Sequence, residues 1–258
     1  MRSTPYPPKK AMTMSVDLHR WQRDQSRPSA REAWRDAALR VIAPSLVLFG
    51  LIVSIGWLIM GPLAGLQGES AVNRELQDGR SRSALWDTTT EIWSRIGNTE
   101  IIIGTCVVVS AILLWRTRQW WYSIVPAIAI SIQATVFVIA AWVVARPRPE
   151  VPKLDPAPPT SSYPSGHVGA ATALYLTFAF MAQRIERTWL RRLVTIVCLM
   201  VPLLVSYARL YRGMHHLTDV LVGVVNGVVC ALLAWYWLRR RSDVSSPQTR
   251  AIFARTNE

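Results

Sequence analysis

Charge is scarce in this chain of 258 residues: 17% is charged against 51% hydrophobic, and Lys is nearly absent beside Arg. That balance excludes an intrinsically disordered protein and argues against an ordinary soluble domain, whose surface needs more charge. Cysteine is scarce as well. Cys106, Cys198 and Cys230 all fall inside apolar runs, so no disulfide framework is implied and the three are expected as packing residues. No apolar stretch interrupts the first forty residues, and the run that follows is too long for the core of a signal peptide. A cleaved leader is therefore not expected. No internal repeat is visible.

What the sequence does contain is long apolar runs. A helix needs about 20 mostly apolar residues to cross a bilayer core. Val41–Met60 and Trp120–Val144 reach that length, Val220–Leu238 nearly does, and Ile101–Trp115, Val168–Ala182 and Leu193–Tyr207 are shorter. The expected fold class is an all-α integral membrane protein with six transmembrane helices. A basic cytoplasmic segment over residues 1–40 would precede a membrane domain over 41–238, with an outer interfacial segment at 62–99. A basic tail over 239–258 would follow.

The net charge of +13 is compatible with nucleic acid or with an anionic membrane surface, and its distribution favours the membrane. With the N-terminus inside, 20 of the 29 Lys and Arg residues fall on the cytoplasmic side. That asymmetry places both termini in the cytoplasm of a multi-pass cell-membrane protein, with no nucleic-acid partner expected. Trp57, Trp115, Trp120, Trp121, Trp142, Trp235 and Trp237 cluster near run ends as interfacial anchors. Gly223 and Gly227 have the small-xxx-small spacing of close helix packing. Leu85, Trp86, Thr89, Ile92, Trp93 and Ile96 recur at helical spacing, which fits either a helix lying on the membrane surface or one packed on its neighbours.

Seven of the nineteen residues of 146–164 are Pro, so this segment crosses the protein as extended chain and turns. Irregular backbone beside a membrane must be buried in protein or line a wet cavity. Three polar clusters bracket it: Arg146-Pro147-Arg148-Pro149, Pro164-Ser165-Gly166-His167, and Arg209 through His215 to Asp219. All fall at the predicted extracytoplasmic ends of spans three to six, which is where the active site is expected. Ser165 and Gly166 open a helix whose free N–H groups and dipole make an anion site. His167 then lies beside the anion as an acid or base. Asp219, four residues after His215, is placed to accept an N–H from one imidazole nitrogen and leave the other with a free lone pair. Arg148 and Arg209 bring fixed charge with bidentate geometry for phosphate oxygens. The set suits in-line phosphoryl transfer. A metal site built from His167, His215, His216 and Asp219 is the rival reading, and paired Arg residues in one pocket would repel a dication.

These motifs resemble the type 2 phosphatidic acid phosphatase superfamily, which includes lipid phosphate phosphatases and undecaprenyl pyrophosphate phosphatases. The family pattern is Lys, six residues, Arg-Pro; then Pro-Ser-Gly-His; then Ser-Arg, five residues, His, three residues, Asp. Arg148-Pro149, Pro164–His167, and Arg209, His215 and Asp219 fall on it with the correct internal spacing. The resemblance covers roughly residues 41–238. It implies that His215 is a nucleophile forming a phosphohistidine, that Asp219 orients it, and that His167 protonates the leaving lipid oxygen and then activates water. It further implies that Arg148, Arg209, Ser165 and Gly166 hold the phosphate, and that no metal or other cofactor is needed.

Two positions depart: Ala141 stands where the Lys is expected and Ala208 where the Ser is. Arg146, Arg212 and His216 are candidates to supply the missing charge, and Arg146 is the foremost. Losing one charge-assisted contact removes about 2–3 kcal/mol of transition-state stabilisation. The expected function is hydrolysis of a membrane lipid phosphate or pyrophosphate. Polyprenyl pyrophosphate, phosphatidate and phosphatidylglycerol phosphate all fit. A phosphotransferase on the same fold, or a non-enzymatic lipid-binding relative, are the alternatives.

Overall fold

The computed structural model describes residues 16–18, 20–23, 28–64, 68–78, 84–157 and 160–238, and the expectations made for residues 1–15 and the basic tail 239–258 lie outside them. Among the described residues the chain is all-helical. A single turn, Arg20–Arg23, precedes α1 (Ala30–Met60), which is interrupted by a π-helical stretch at Ala38–Ile42. Then come α2 (Glu69–Asp78), α3 (Ala84–Ile96), α4 (Thr99–Thr117) and α5 (Trp120–Val144). The proline-rich segment leads to α6 (Gly166–Ala182), followed by α7 (Thr188–Tyr211) and α8 (Leu217–Trp235).

Five of these, α1, α4, α5, α7 and α8, are long and apolar enough to cross a membrane, and α6, at 17 residues, is a shorter apolar helix. The long helices turn large apolar side chains outward: Leu46 and Leu51 on α1, Val107 on α4, Val138 and Trp142 on α5, Ile196 and Leu203 on α7. Such a surface is stable only against lipid, and it marks a multi-pass membrane protein.

The short helix α6 has the opposite environment. It is packed between α5, α7 and α8, and Val168, Ala171, Ala173, Leu174 and Thr177 are all fully buried. Its small residues let neighbouring helices approach it closely in this central position. A Cβ added to Gly227 would come within 2.5 Å of Thr172, and one added to Gly223 within 2.8 Å of the Ser165 carbonyl, so the small-xxx-small pair of α8 does set a close crossing.

The segment between α1 and α4 is more than an interfacial cover. Glu69, Asn73 and Gln77 recur every four residues along α2 and face inward. Asn73 Nδ2 donates to the carbonyls of Leu210 and His215, and Gln77 Nε2 to those of Pro152 and Tyr211. In α3 the apolar residues Leu85 and Ile92 are exposed, while Thr90 and Ser94 are buried. Its polar face packs on the protein and part of its apolar face is turned out. The two helices brace the turn between α7 and α8. That turn depends on Gly213, which has φ +67°, and a Cβ there would lie 2.5 Å from the Pro152 carbonyl.

Candidate active site

Arg148, Gly166, His167, Arg209 and His215 line one cavity of about 620 Å³ at the ends of α5, α6 and α7. The three sequence clusters thus converge, carried there by the proline-rich segment, the start of α6 and the turn before α8.

His215 is buried in that turn, two residues ahead of α8, and its Nδ1 lies 2.7 Å from the carbonyl oxygen of Ser162. Only an N–H can face a carbonyl at that distance, so Nδ1 carries the proton and Nε2 keeps its lone pair. Burial holds the imidazole well below the usual histidine range, and the charges of Arg209 and Arg148 push the same way against the Ser162 hydrogen bond. The ring is therefore neutral at physiological pH.

Direct donation from His215 to Asp219 is not what the structure shows: Nδ1 stands 4.0 Å from Oδ2. The buried Asp219 carboxylate instead accepts from Ser162 Oγ through a short hydrogen bond, and from the backbone N–H of His216 at 2.8 Å. Its other oxygen accepts from Arg146 Nη1 at 2.6 Å. Asp219 thus fixes Ser162, whose carbonyl fixes His215. Ser162 escaped the sequence reading because its contribution to the ring is a backbone oxygen, which no side-chain motif records.

His167 stands in the first turn of α6, with Nε2 3.0 Å from Asn98 Oδ1. Asn98 occupies the N-cap of α4 yet makes no capping bond, because its side chain is turned to the imidazole. Gly97 permits the approach: a Cβ there would lie 3.0 Å from His167 Cβ. An Asn ahead of a helix reads as a cap, which hid this role.

The anion cradle has two buried polar atoms without partners, Ser165 Oγ and Arg209 Nε. Each is a hydrogen-bond donor facing a loss that an incoming phosphate oxygen would offset. Arg209 Nη1 is already held by Ser94 Oγ at 2.8 Å and by Asp155 at 2.9 Å. Arg148 donates to the Met214 carbonyl at 2.7 Å, and burial pulls its pKa down while the Asp219 charge opposes that. Gly166 has a packing reason besides ligand approach: a Cβ would meet the Phe137 ring at 2.6 Å.

Arg146 does not line this cavity. Its terminal nitrogens are held by Asp219, Thr218 and Glu69, which makes it an internal counter-ion to two carboxylates, and it lines a neighbouring cavity. Arg212 is bound to Asp155, the Leu154 carbonyl, Asp87 and Thr90, and His216 Nδ1 lies 3.2 Å from Asp219. None of the three candidates for the missing charge is turned to the cradle. Among the described residues, no group of three or more His, Cys, Asp or Glu has the arrangement of a metal site.

Ala141 lines a neighbouring cavity of about 510 Å³ that shares Phe137, Val138, Thr160 and Ser161 with the cradle. Ala141→Lys has room there and is expected to raise kcat/KM for a lipid monophosphate by about 30- to 150-fold, the weight of one charge-assisted contact of about 2–3 kcal/mol. Steady-state kinetics on the two proteins measure it, and an unchanged value would mean that the two arginines suffice.

The PAP2 superfamily model matches residues 120–243, which include all of Arg148, Ser165, Gly166, His167, Arg209, His215 and Asp219. Among curated proteins, none has a matching sequence. Two solved structures share the fold. The transmembrane PAP2-type phosphatidylglycerolphosphate phosphatase from Bacillus subtilis has 19% identity and a TM-score of 0.64, over 74% of this chain and 93% of that one. LpxE from Aquifex aeolicus has 20% identity and a TM-score of 0.50, over 64% of this chain and 92% of that one. Over residues 120–243 this membrane protein is thus similar to the PAP2 superfamily.

Proposed function

We propose that the chain is a lipid phosphate phosphatase whose nucleophile is His215. The observation that carries this reading is the neutral, buried imidazole whose Nδ1–H is committed to Ser162, in a cavity also lined by His167, Arg148 and Arg209. The lone pair on Nε2 attacks phosphorus and the P–O bond to the lipid breaks. His167 gives its proton to the departing oxygen. In the second step water attacks phosphorus as His167 takes its proton, the P–N bond breaks with its electron pair returning to His215 Nε2, and inorganic phosphate leaves. Arg148, Arg209, Ser165 Oγ and the first N–H groups of α6 stabilise the phosphoryl oxygens, so positioning and charge supply the catalysis without a metal.

The same cavity runs down from the cradle between α4 and α5, past Ile102, Val107, Ile130 and Ala127. From Val138 to Ala127 the groove spans about 16 Å of helix. An apolar groove of that length beneath an anion cradle fits a lipid tail. Six spans, with α6 as the fourth, would leave both termini on one side and the cradle on the other, and the excess of Arg in the terminal segments favours the termini inside and the cradle outside. That sidedness favours an envelope lipid, phosphorylated once or twice.

Purified protein in detergent, with chelator present, is expected to release inorganic phosphate from lipid phosphates at the rate of substrate loss. Loss of substrate with no free phosphate would favour transfer to another acceptor, and absence of both would sink the enzymatic reading.

A further inference from the structure

The link between α3 and α4 consists of Gly97 and Asn98, and Gly97 and Thr99 line the cavity beside His167. Asn98 has the extended backbone of a helix cap, with φ −64° and ψ 146°, yet its side chain makes no capping bond. An Asn at this position ordinarily stabilises its helix by about 1 kcal/mol through that bond. Here its Oδ1 lies 3.0 Å from His167 Nε2 instead. An amide oxygen only accepts, so Nε2 carries a hydrogen in this pair. A Cβ on Gly97 would lie 3.0 Å from His167 Cβ and 3.3 Å from Cδ2, so the Cδ2–Nε2 edge of the ring lies along the link. Nδ1 is on the opposite edge, and among the described residues it has no hydrogen-bond partner. The ring lines the cavity with Arg148, Arg209 and His215, and the edge turned away from the link is the one left for a substrate.

We infer that Asn98 is a positioning residue for the acid–base histidine, holding the Nε2–H of His167 so that Nδ1 is the nitrogen that passes the proton. The inference rests on the phosphatase reading above. In the first step the Nδ1–H bond of the imidazolium breaks as the P–O bond opens. Its proton goes to the departing lipid oxygen, and the ring is left neutral with a lone pair on Nδ1. In the second step Nδ1 takes a proton from the attacking water, which restores the imidazolium. The Nε2–H to Oδ1 bond persists through both steps and is strongest when the ring is charged. His215 is held the other way round, by Nδ1, so the two rings present different nitrogens to the phosphoryl group.

Substitutions at this position separate the role from helix capping. Serine caps a helix about as well as asparagine but is too short to reach the imidazole, whereas aspartate can do both. With a diacylglycerol phosphate, Asn98→Ala and Asn98→Ser are each expected to lower kcat about tenfold, the weight of one hydrogen bond, with KM nearly unchanged. Asn98→Asp should recover most of that loss. With p-nitrophenyl phosphate, whose departing phenolate needs no proton, release of nitrophenolate in the first turnover should keep its wild-type rate in all three variants. Wild-type kcat on the lipid in Asn98→Ser would make Asn98 a helix cap alone. A first turnover slowed as much as lipid hydrolysis would make the effect a general distortion of the site. Either result, or a loss in Asn98→Asp as large as in Asn98→Ala, overturns the inference and leaves the phosphatase reading standing. A wild-type protein that releases phosphate from neither substrate overturns both.

Discussion

His215→Ala is expected to lower phosphate release by about four orders of magnitude or more, the usual consequence of removing a covalent nucleophile. The substitution deletes one hydrogen bond, from Nδ1 to the Ser162 carbonyl, while the turn itself stays held by Asn73 and Arg148 through backbone oxygens. Folding should therefore survive, and the loss should appear in kcat. Phosphate incorporation during turnover, trapped by rapid denaturation at alkaline pH where a phosphohistidine persists, should label the wild type and not the variant. His167→Ala should still be labelled on good leaving groups, because its role at the first step is to protonate the departing oxygen. A label retained in His215→Ala would move the nucleophile elsewhere, and among the described residues His167 is the other imidazole lining the cavity.

Much of this site was legible in the sequence, for a definite reason. Each motif lies within one local element: Ser165 to His167 in a helix start, Arg209 to Asp219 across one turn, Arg148 beside a fixed Pro. Local spacing reports such groups directly, and the order of the clusters reports their common side. The apolar runs likewise located the long helices and the shorter α6. What sequence spacing does not report is pairing between distant segments. Arg146 looked like a spare cation until Glu69, seventy-seven residues earlier, was found on one of its nitrogens. Asp155 carries no motif, yet it joins Arg209, Arg212 and Ser94. The repeat Glu69, Asn73, Gln77 is visible in the sequence as one face of a helix, but its polar character reads as solvent-facing when the helix in fact braces the turn that carries His215. The spacing of His215 and Asp219 suggested direct contact, and a single intervening residue, Ser162, changed the connection.

That connection makes Asp219→Asn the second large expectation. The carboxylate accepts from Arg146, Ser162 Oγ and the His216 backbone at once, in a fully buried site. Conversion to an amide turns one oxygen into a donor, which then faces another donor, and it leaves Arg146 with Glu69 as its one carboxylate. Breaking a buried ion pair from one side costs about 3–5 kcal/mol, so the thermal midpoint should fall by several degrees. Activity should fall further than stability explains, by about 10³-fold in kcat with KM nearly unchanged, as happens when the group that orients a catalytic imidazole is lost. Ser162→Ala separates the two effects. It keeps the carbonyl that receives the His215 proton and removes only the Oγ that ties this backbone to Asp219, so it should lower kcat about tenfold with little change in thermal midpoint. Ser162→Thr, which restores the hydroxyl, should recover most of that loss. If Ser162→Ala retains full kcat while Asp219→Asn does not, Asp219 acts on His215 through its 4.0 Å electrostatic proximity and not through the serine. If the two variants lose kcat in the proportions given, and the double variant loses no more than Asp219→Asn alone, the carboxylate, the serine and the imidazole work as one chain.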